Sequence, residues 1–246
     1  MKEYHIHTFG AEKETAAALA ALIADRLKAN VKQSVPLNMA VSGGNTPKML
    51  FELLAEKYTD KIPWKFLRLF WVDERCVPPT HKDSNFGMTY TSLLEHVDLP
   101  SDNLFRIQGE NNPDTEVIRY ADVLKNELPQ ENGFPVFDLM LLGIGNDGHT
   151  ASIFPSDLSL FESDKTTALV PHPETGQLRI TLTGKTICNA KEIAFFVTGA
   201  EKANILSEII AQGQASKKYP ASYVSDSSGV ATFYLDGKAA GNIPNK

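Results

Sequence analysis

Asp147 and His149 stand two residues apart in the turn Gly143-Ile-Gly-Asn-Asp-Gly-His149, directly after the apolar run Leu139-Met-Leu-Leu142. An imidazole beside a carboxylate makes a base that works near neutral pH. A buried strand that stops in a glycine-rich turn is how an α/β protein presents chemistry at a sheet edge. A histidine merely tied to Asp147 is the plainer alternative, but the strand end and three glycines favour a catalytic turn. The same turn satisfies GxGxxG literally. A dinucleotide site fits it poorly, because the match falls past mid-chain instead of opening the first βαβ unit. Asp147 would also repel a pyrophosphate.

Four further segments carry polar or cationic groups beside apolar runs. Ser42-Gly-Gly-Asn-Thr-Pro47 has two glycines that let the backbone approach an anion, and a helix N-terminus behind them adds N–H groups and partial positive charge. Ser42 and Thr46 add hydroxyls, so Ser42, Gly43, Gly44, Asn45 and Thr46 form a candidate phosphate cradle; a capped tight turn without a ligand is the equal alternative. The Walker A spacing is absent. In Asp73-Glu-Arg75, Arg75 can grip a phosphate or stabilise a developing oxyanion, or belong to a surface ion-pair cluster. Lys202, in Thr198-Gly-Ala-Glu-Lys202, can reach an anion as a point charge, and Arg179 in Leu178-Arg-Ile-Thr-Leu182 is similar. Each reads equally well as an exposed cation. His5, His7, His81, His96 and His172 show no spacing that suggests a metal, and Ser152 is not in a GxSxG elbow.

These groups need elements to hold them. Leu19, Leu22, Ile23 and Leu27 recur at helical spacing and predict a helix over Glu12–Asn30. Val35–Val41 predicts a strand, and Pro47–Lys57 a helix with proline in its first turn. Phe66–Val72, Phe137–Leu142, Glu192–Val197 and Val230–Leu235 read as strands. Ser84–His96, Asp114–Leu128 and a stretch from Lys202 to about Gln212 read as helices, and Leu178–Leu182 is ambiguous. Strands alternating with helices argue for an α/β fold with an open, mainly parallel sheet flanked by helices. One domain over 1–246 is expected, with a helical cap built from 84–128 as an option; Gly133 and the 156–177 segment are the candidate mobile elements.

The 246 residues are 42% hydrophobic and 22% charged, ordinary for a globular chain able to bury a core without metal or disulfide staples. The formal net charge of −6 disfavours nonspecific nucleic-acid binding. Cys76 and Cys188 are isolated thiols, which suits a reducing compartment. The polar start Lys2-Glu-Tyr-His-Ile-His7 is unlike a signal peptide, and no apolar stretch approaches the ~20 residues of a membrane span. A soluble cytoplasmic protein follows, with no obligate protein partner evident.

Taken together, SGGNTP at 42–47, WVDERCVP at 71–78, DSNFGM at 83–88, GIGNDGHTASIFP at 143–155, RITLT at 179–183, TGAEK at 198–202 and YPAS at 219–222 resemble the 6-phosphogluconolactonase family, in the expected order over most of the chain. The wider superfamily includes glucosamine-6-phosphate deaminases, whose DGHxAFNEP-like stretch carries a glutamate where this chain has Phe154. Asn45 stands where many relatives have serine, and keeps the hydrogen-bonding capacity. The resemblance implies a modified Rossmann-like fold of the sugar-phosphate isomerase/lactonase type. It implies hydrolysis of 6-phospho-D-glucono-1,5-lactone to 6-phosphogluconate in the oxidative pentose phosphate pathway, with no metal or other cofactor. On that basis His149 is the expected general base, Asp147 its orienting partner, and Arg75 a group facing the carbonyl or the phosphate. Ser42 to Thr46, Lys202 and Arg179 are expected to hold the phosphate. A deaminase or isomerase, and a non-catalytic sugar-phosphate sensor, remain the competing readings.

Overall fold

The computed structural model describes residues 4–228 and 231–243. Its strands are β1 (His5–Phe9), β2 (Leu37–Val41), β3 (Leu67–Trp71), β4 (Asp73–Arg75), β5 (Leu104–Phe105), β6 (Gln130–Glu131), β7 (Phe134–Pro135), β8 (Leu139–Leu142), β9 (Thr167–Pro171), β10 (Leu178–Leu182), β11 (Ile193–Val197) and β12 (Ala231–Asp236). The α-helices are α1 (Glu12–Lys32), α2 (Asn45–Tyr58), α3 (Asn85–Ser92), α4 (Pro113–Glu127), α5 (Gly184–Cys188), α6 (Ala203–Ala211) and α7 (Pro220–Ser228).

Seven strands form one sheet in the order β1-β12-β11-β8-β2-β3-β5, and every neighbouring pair is parallel. β2, β8 and β11 are buried at every position, as strands covered on both faces must be, and apart from Asn38 their sequences are accordingly runs of Leu, Met, Ala, Val, Ile and Phe. β1 at one edge has only exposed and half-buried positions. α1 buries Ala16, Leu19, Ala20, Ile23, Ala24 and Leu27, a stripe at three- and four-residue steps. Each fully buried leucine or isoleucine of that stripe contributes about 1.5–3 kcal/mol.

Starting from β2, the chain builds outward through β3 to β5. It then returns to the other side of β2 with β8 and builds outward again through β11 to β12. Strand order therefore reverses between β2 and β8, and in open α/β sheets the crevice beyond the carboxyl ends at such a reversal is where ligands bind.

A second, antiparallel sheet, β4-β10-β9, stands beside this edge. Val72 links the two sheets: its N–H donates to Val41 O at 3.0 Å and its carbonyl accepts from Leu182 N at 2.8 Å. Asp73-Glu-Arg75 is thus a strand of its own, and the ambiguous Leu178–Leu182 is the central strand of the small sheet. β1 and β9 have no counterpart in the sequence-based expectation. Val230, the expected first residue of the last strand, lies outside the described residues.

The 84–128 region is not a cap. It contributes β5 to the main sheet, and α4 docks through Tyr120, whose hydroxyl accepts from Trp71 N at 3.1 Å and donates to Trp71 O at 2.7 Å. Thr167 of β9 also donates to Val117 O of α4 at 2.7 Å. The helix expected over Ser84–His96 divides into α3 and a short 3-10 turn at Leu94–His96. No helix among the described residues is long and apolar enough to cross a membrane.

Tyr120 is fully buried and its hydroxyl bonds to the Trp71 backbone at both N–H and carbonyl, so Tyr120→Phe isolates this docking. The variant should lose about 1–3 kcal/mol through the orphaned Trp71 N–H and carbonyl, read as a lowered urea midpoint with unchanged turnover.

Candidate active site

The carboxyl ends of β2, β8 and β11 open into a cavity of about 730 Å³. Ser42, Gly43, Gly44, Asn45 and Thr46 line it from the β2 end, Gly143 to Asn146 and His149 from the β8 end, and Thr198 to Lys202 from the β11 end. Arg75 and Arg179 reach it from the small sheet. Asp147 does not line the cavity; it lies behind the imidazole that does.

His149 Nδ1 and Asp147 Oδ1 are 2.6 Å apart, and the His149 backbone N–H donates to the same oxygen at 3.1 Å. Burial works to raise the Asp147 carboxyl. The hydrogen bond and charge of His149, with the backbone amides, outweigh it and bring the carboxyl down to about 2. An ionised carboxylate only accepts, so Nδ1 carries the proton and Nε2 is left as the basic nitrogen.

The glycines around this pair are sterically required. A Cβ on Gly145 would lie 2.1 Å from His149 Nδ1, and one on Gly148, at φ +82°, would lie 2.3 Å from the Tyr219 ring. Ala221 N donates to Gly148 O at 3.1 Å, so the YPAS segment at the start of α7 braces the turn from below. Ala151 follows at φ +51°, a left-handed conformation that costs a residue with a Cβ roughly 1–2 kcal/mol. Beyond it Ser152 is buried, its Oγ donating to Asp73 Oδ2 at 2.6 Å and its N–H to Thr181 Oγ1 at 3.1 Å. That hydroxyl ties the segment after the turn to the small sheet and is not presented as a nucleophile.

Arg75 and Arg179 are direct cross-strand partners on β4 and β10. Like charges so placed repel, and Arg179 is held below its ordinary value by burial first and by the Arg75 charge next. Arg75 Nη1 donates to Asp83 O at 2.7 Å, yet the Nε groups of both arginines are buried with no hydrogen-bond partner among the described residues. An anionic oxygen facing either guanidinium offsets the repulsion and offers an acceptor to the arginine beside it.

Opposite, α2 begins with Gly44 at φ +106° and no side-chain cap, so no side chain satisfies its first amides beside the cavity. Lys202 is pushed down by burial and donates to Asn146 Oδ1 in the catalytic turn. Thr46 Oγ1 and Thr198 Oγ1 are 3.4 Å apart across the cavity mouth. Ser42 spends its hydroxyl proton on Leu141 O at 3.0 Å, tying β2 to β8.

Asn85 and Asp73 are among the cavity residues that the sequence reading did not single out. Asn85 donates to Asp73 O at 2.9 Å, and its Oδ1 lies where a Cβ on Gly43 would be, 1.8 Å away. Gly43 is therefore glycine to admit Asn85. Asn85 is placed by Glu74, which accepts from Asn85 N and Phe86 N, both at 2.8 Å, and from Arg75 N at 2.7 Å. Burial raises the Glu74 carboxyl although these amides oppose the shift. The signal was available: Ser84 and Asn85 open a helix within DSNFGM, and an acidic residue precedes Glu-Arg at a strand end. Asp73, buried and lining the cavity, is the second. Among the described residues no group of three or more His, Cys, Asp or Glu side chains is placed to hold a metal ion.

Gly145→Ala tests the packing of the turn. The added methyl should displace the imidazole and break the Asp147–His149 hydrogen bond, seen as loss of the low-field Nδ1 proton resonance while the far-ultraviolet circular dichroism stays native.

A family model described as glucosamine-6-phosphate isomerases/6-phosphogluconolactonase matches residues 10–233. The 6-phosphogluconolactonase of Treponema pallidum (strain Nichols) is 42% identical over 203 residues, covering 82% of this chain and 84% of its own. That of Haemophilus influenzae (strain ATCC 51907 / DSM 11121 / KW20 / Rd) is 43% identical over 206 residues, covering 83% and 86%. The solved 6-phosphogluconolactonase of Trypanosoma brucei superposes with a TM-score of 0.86 at 31% identity, over 99% of this chain and 100% of that one.

Proposed function

The chain belongs to the glucosamine-6-phosphate isomerase/6-phosphogluconolactonase family, and from that premise we infer that it hydrolyses 6-phospho-D-glucono-1,5-lactone to 6-phospho-D-gluconate, the second step of the oxidative pentose phosphate pathway. The observation that carries the chemistry is the Asp147–His149 pair opening onto a cavity walled by Lys202 and by two arginines whose Nε groups have no partner among the described residues.

A lactone is an activated ester, so water needs a base and stabilisation of the charge that develops on the carbonyl oxygen. His149 Nε2 takes a proton from water as the water oxygen attacks C1. Asp147 keeps the Nδ1 proton in place and stabilises the imidazolium that forms. The tetrahedral intermediate collapses with cleavage of the bond from C1 to the ring oxygen, and the imidazolium returns the proton to that departing oxygen. Arg75 faces the carbonyl oxygen as it becomes an oxyanion. Arg179, Lys202 and the uncapped start of α2 at Asn45 and Thr46, approached closely at Gly43 and Gly44, hold the phosphate. Ser42 braces this cradle from the β2 end. Binding energy at the phosphate thereby orients a carbonyl at the far end of the same molecule. Phe154, where the deaminase pattern has glutamate, offers no carboxylate for ring opening and isomerisation.

His149→Asn should lower kcat about 10²–10⁴-fold with little change in KM, measured on freshly made lactone with spontaneous hydrolysis subtracted. An unaffected kcat would remove His149 from the base role. Lys202→Ala should raise KM for the phosphorylated lactone and leave unphosphorylated gluconolactone unchanged. Equal wild-type activity on the two lactones would refute the phosphate clamp. Asp147 stays ionised at ordinary pH: with its carboxyl held at about 2, the contribution of its hydrogen bond is present above the usual aspartate range and lost only as pH falls through that value. Proton uptake by Asp147 should therefore be invisible in a pH–rate profile taken above about pH 4.

A further inference from the structure

Phe154 is fully buried, yet its ring meets two site side chains, His149 and Arg179, and a third, His172. The His149 imidazole lies 5.0 Å away, centroid to centroid, tilted by 56°. The Arg179 guanidinium lies over the same ring at 5.6 Å from its centroid. His172, from the turn between β9 and β10, packs against it edge-on at 5.1 Å and 73°. The backbone that delivers the ring is firmly placed: Ser152 ties to Asp73 and Thr181, Ile153 N donates to Thr150 O at 3.0 Å, and Phe154 O accepts from Asp157 N at 2.8 Å.

Asp147 and Gly145 hold one edge of the imidazole, and the Phe154 ring packs against the rest of it. The hydrogen bond at Nδ1 fixes that atom on Asp147 and Gly145 allows the edge to approach, while the Phe154 ring supports the imidazole from another side. Arg179 has a complementary need. Its Nε has no partner and Arg75 repels it, so the quadrupole of an aromatic face is a neutral attraction that holds the guanidinium without consuming its N–H donors. A carboxylate at this position would also hold both groups, but as a competitor for the anion that Arg179 is there to bind.

We propose that Phe154 is a positioning residue whose single rigid ring sets the spacing between the base His149 and the anion-binding Arg179. The inference rests on the lactonase reading above for what the two groups do, but its geometric content stands apart from it. A substrate held by its phosphate against Arg179 then meets an imidazole whose plane is set by the same ring. The phosphate-bound lactone is presented to Nε2 at one distance and one angle. His172, on the outer edge of Phe154, closes the ring's remaining side.

Phe154→Leu keeps an apolar side chain and removes the aromatic face. On freshly made 6-phosphogluconolactone, kcat should fall about ten- to a hundredfold through misalignment of the base, and KM should rise about three- to tenfold as Arg179 loses its support. On unphosphorylated gluconolactone only the kcat effect should remain. Two readouts do not depend on turnover: a crystal structure of the variant should show the His149 imidazole turned out of its wild-type plane and the Arg179 guanidinium displaced, and calorimetry should show weaker binding of 6-phosphogluconate with binding of gluconate unchanged. If the leucine variant does not fold, Phe154→Met is put through the same measurements.

A variant that melts earlier but keeps wild-type kcat, KM and the wild-type placement of His149 and Arg179 would overturn the proposal, because a merely structural ring moves only the melting temperature. Equal losses on the two lactones would overturn its Arg179 half. If the wild-type protein does not hydrolyse the lactone, the functional reading fails instead, and the placement of His149 and Arg179 together with the 6-phosphogluconate affinities still decides whether Phe154 positions both groups.

Discussion

Where successive connections leave a parallel sheet in opposite directions, no crossover covers the gap between the two strands involved. β2 sends its chain one way through α2, and β8 sends its chain the other way through the catalytic turn, so their carboxyl ends form a crevice that backbone alone cannot fill. The functional groups line this crevice because it is where main-chain amides and strand-end side chains converge without burying one another. Ser42 keeps it narrow by tying β2 to β8 through Leu141.

The small antiparallel sheet gives the crevice its third wall. Val72 belongs to both sheets through its N–H and its carbonyl, so the direction of β4 is set by β3, and with it the place of Arg75. β10 pairs on β4 and brings Arg179 opposite Arg75. The Ser152–Asp73 bond then fastens the segment after the catalytic turn to the same strand. Base and cations are thus referred to one rigid frame, with the left-handed Ala151 as the local cost of folding the chain back onto it.

Much of this was legible in the sequence, and the omissions have physical causes. Buried parallel strands announce themselves as apolar runs, which is why β2, β3, β8 and β11 were readable. β1, as His-Ile-His-Thr-Phe, is a half-exposed edge strand with a weak pattern, and β9 carries a proline and only partial burial. The Asp-Glu-Arg strand is too short and too charged to read as β; its pairing with β10 is a tertiary decision. Gly143 to His149 betrayed the site because close packing demands glycines and chemistry demands the Asp–His pair. Asn85 was passed over although it opens a helix within DSNFGM, because the space it fills above Gly43 joins residues 42 positions apart. The supposed cap failed for a similar reason, since only Tyr120 reaching Trp71 reveals that α4 belongs to the sheet.

The facing arginines bear on how the protein is handled as well as on what it binds. Two guanidiniums held side by side with unsatisfied Nε groups make a standing electrostatic debt in the fold, one that any small oxyanion of suitable shape discharges. Sulfate or inorganic phosphate in a storage buffer would therefore shield the protein from heat through mass action. The same ions would rival the natural ligand for its seat, so the solutions that preserve this protein best are those in which it works most slowly.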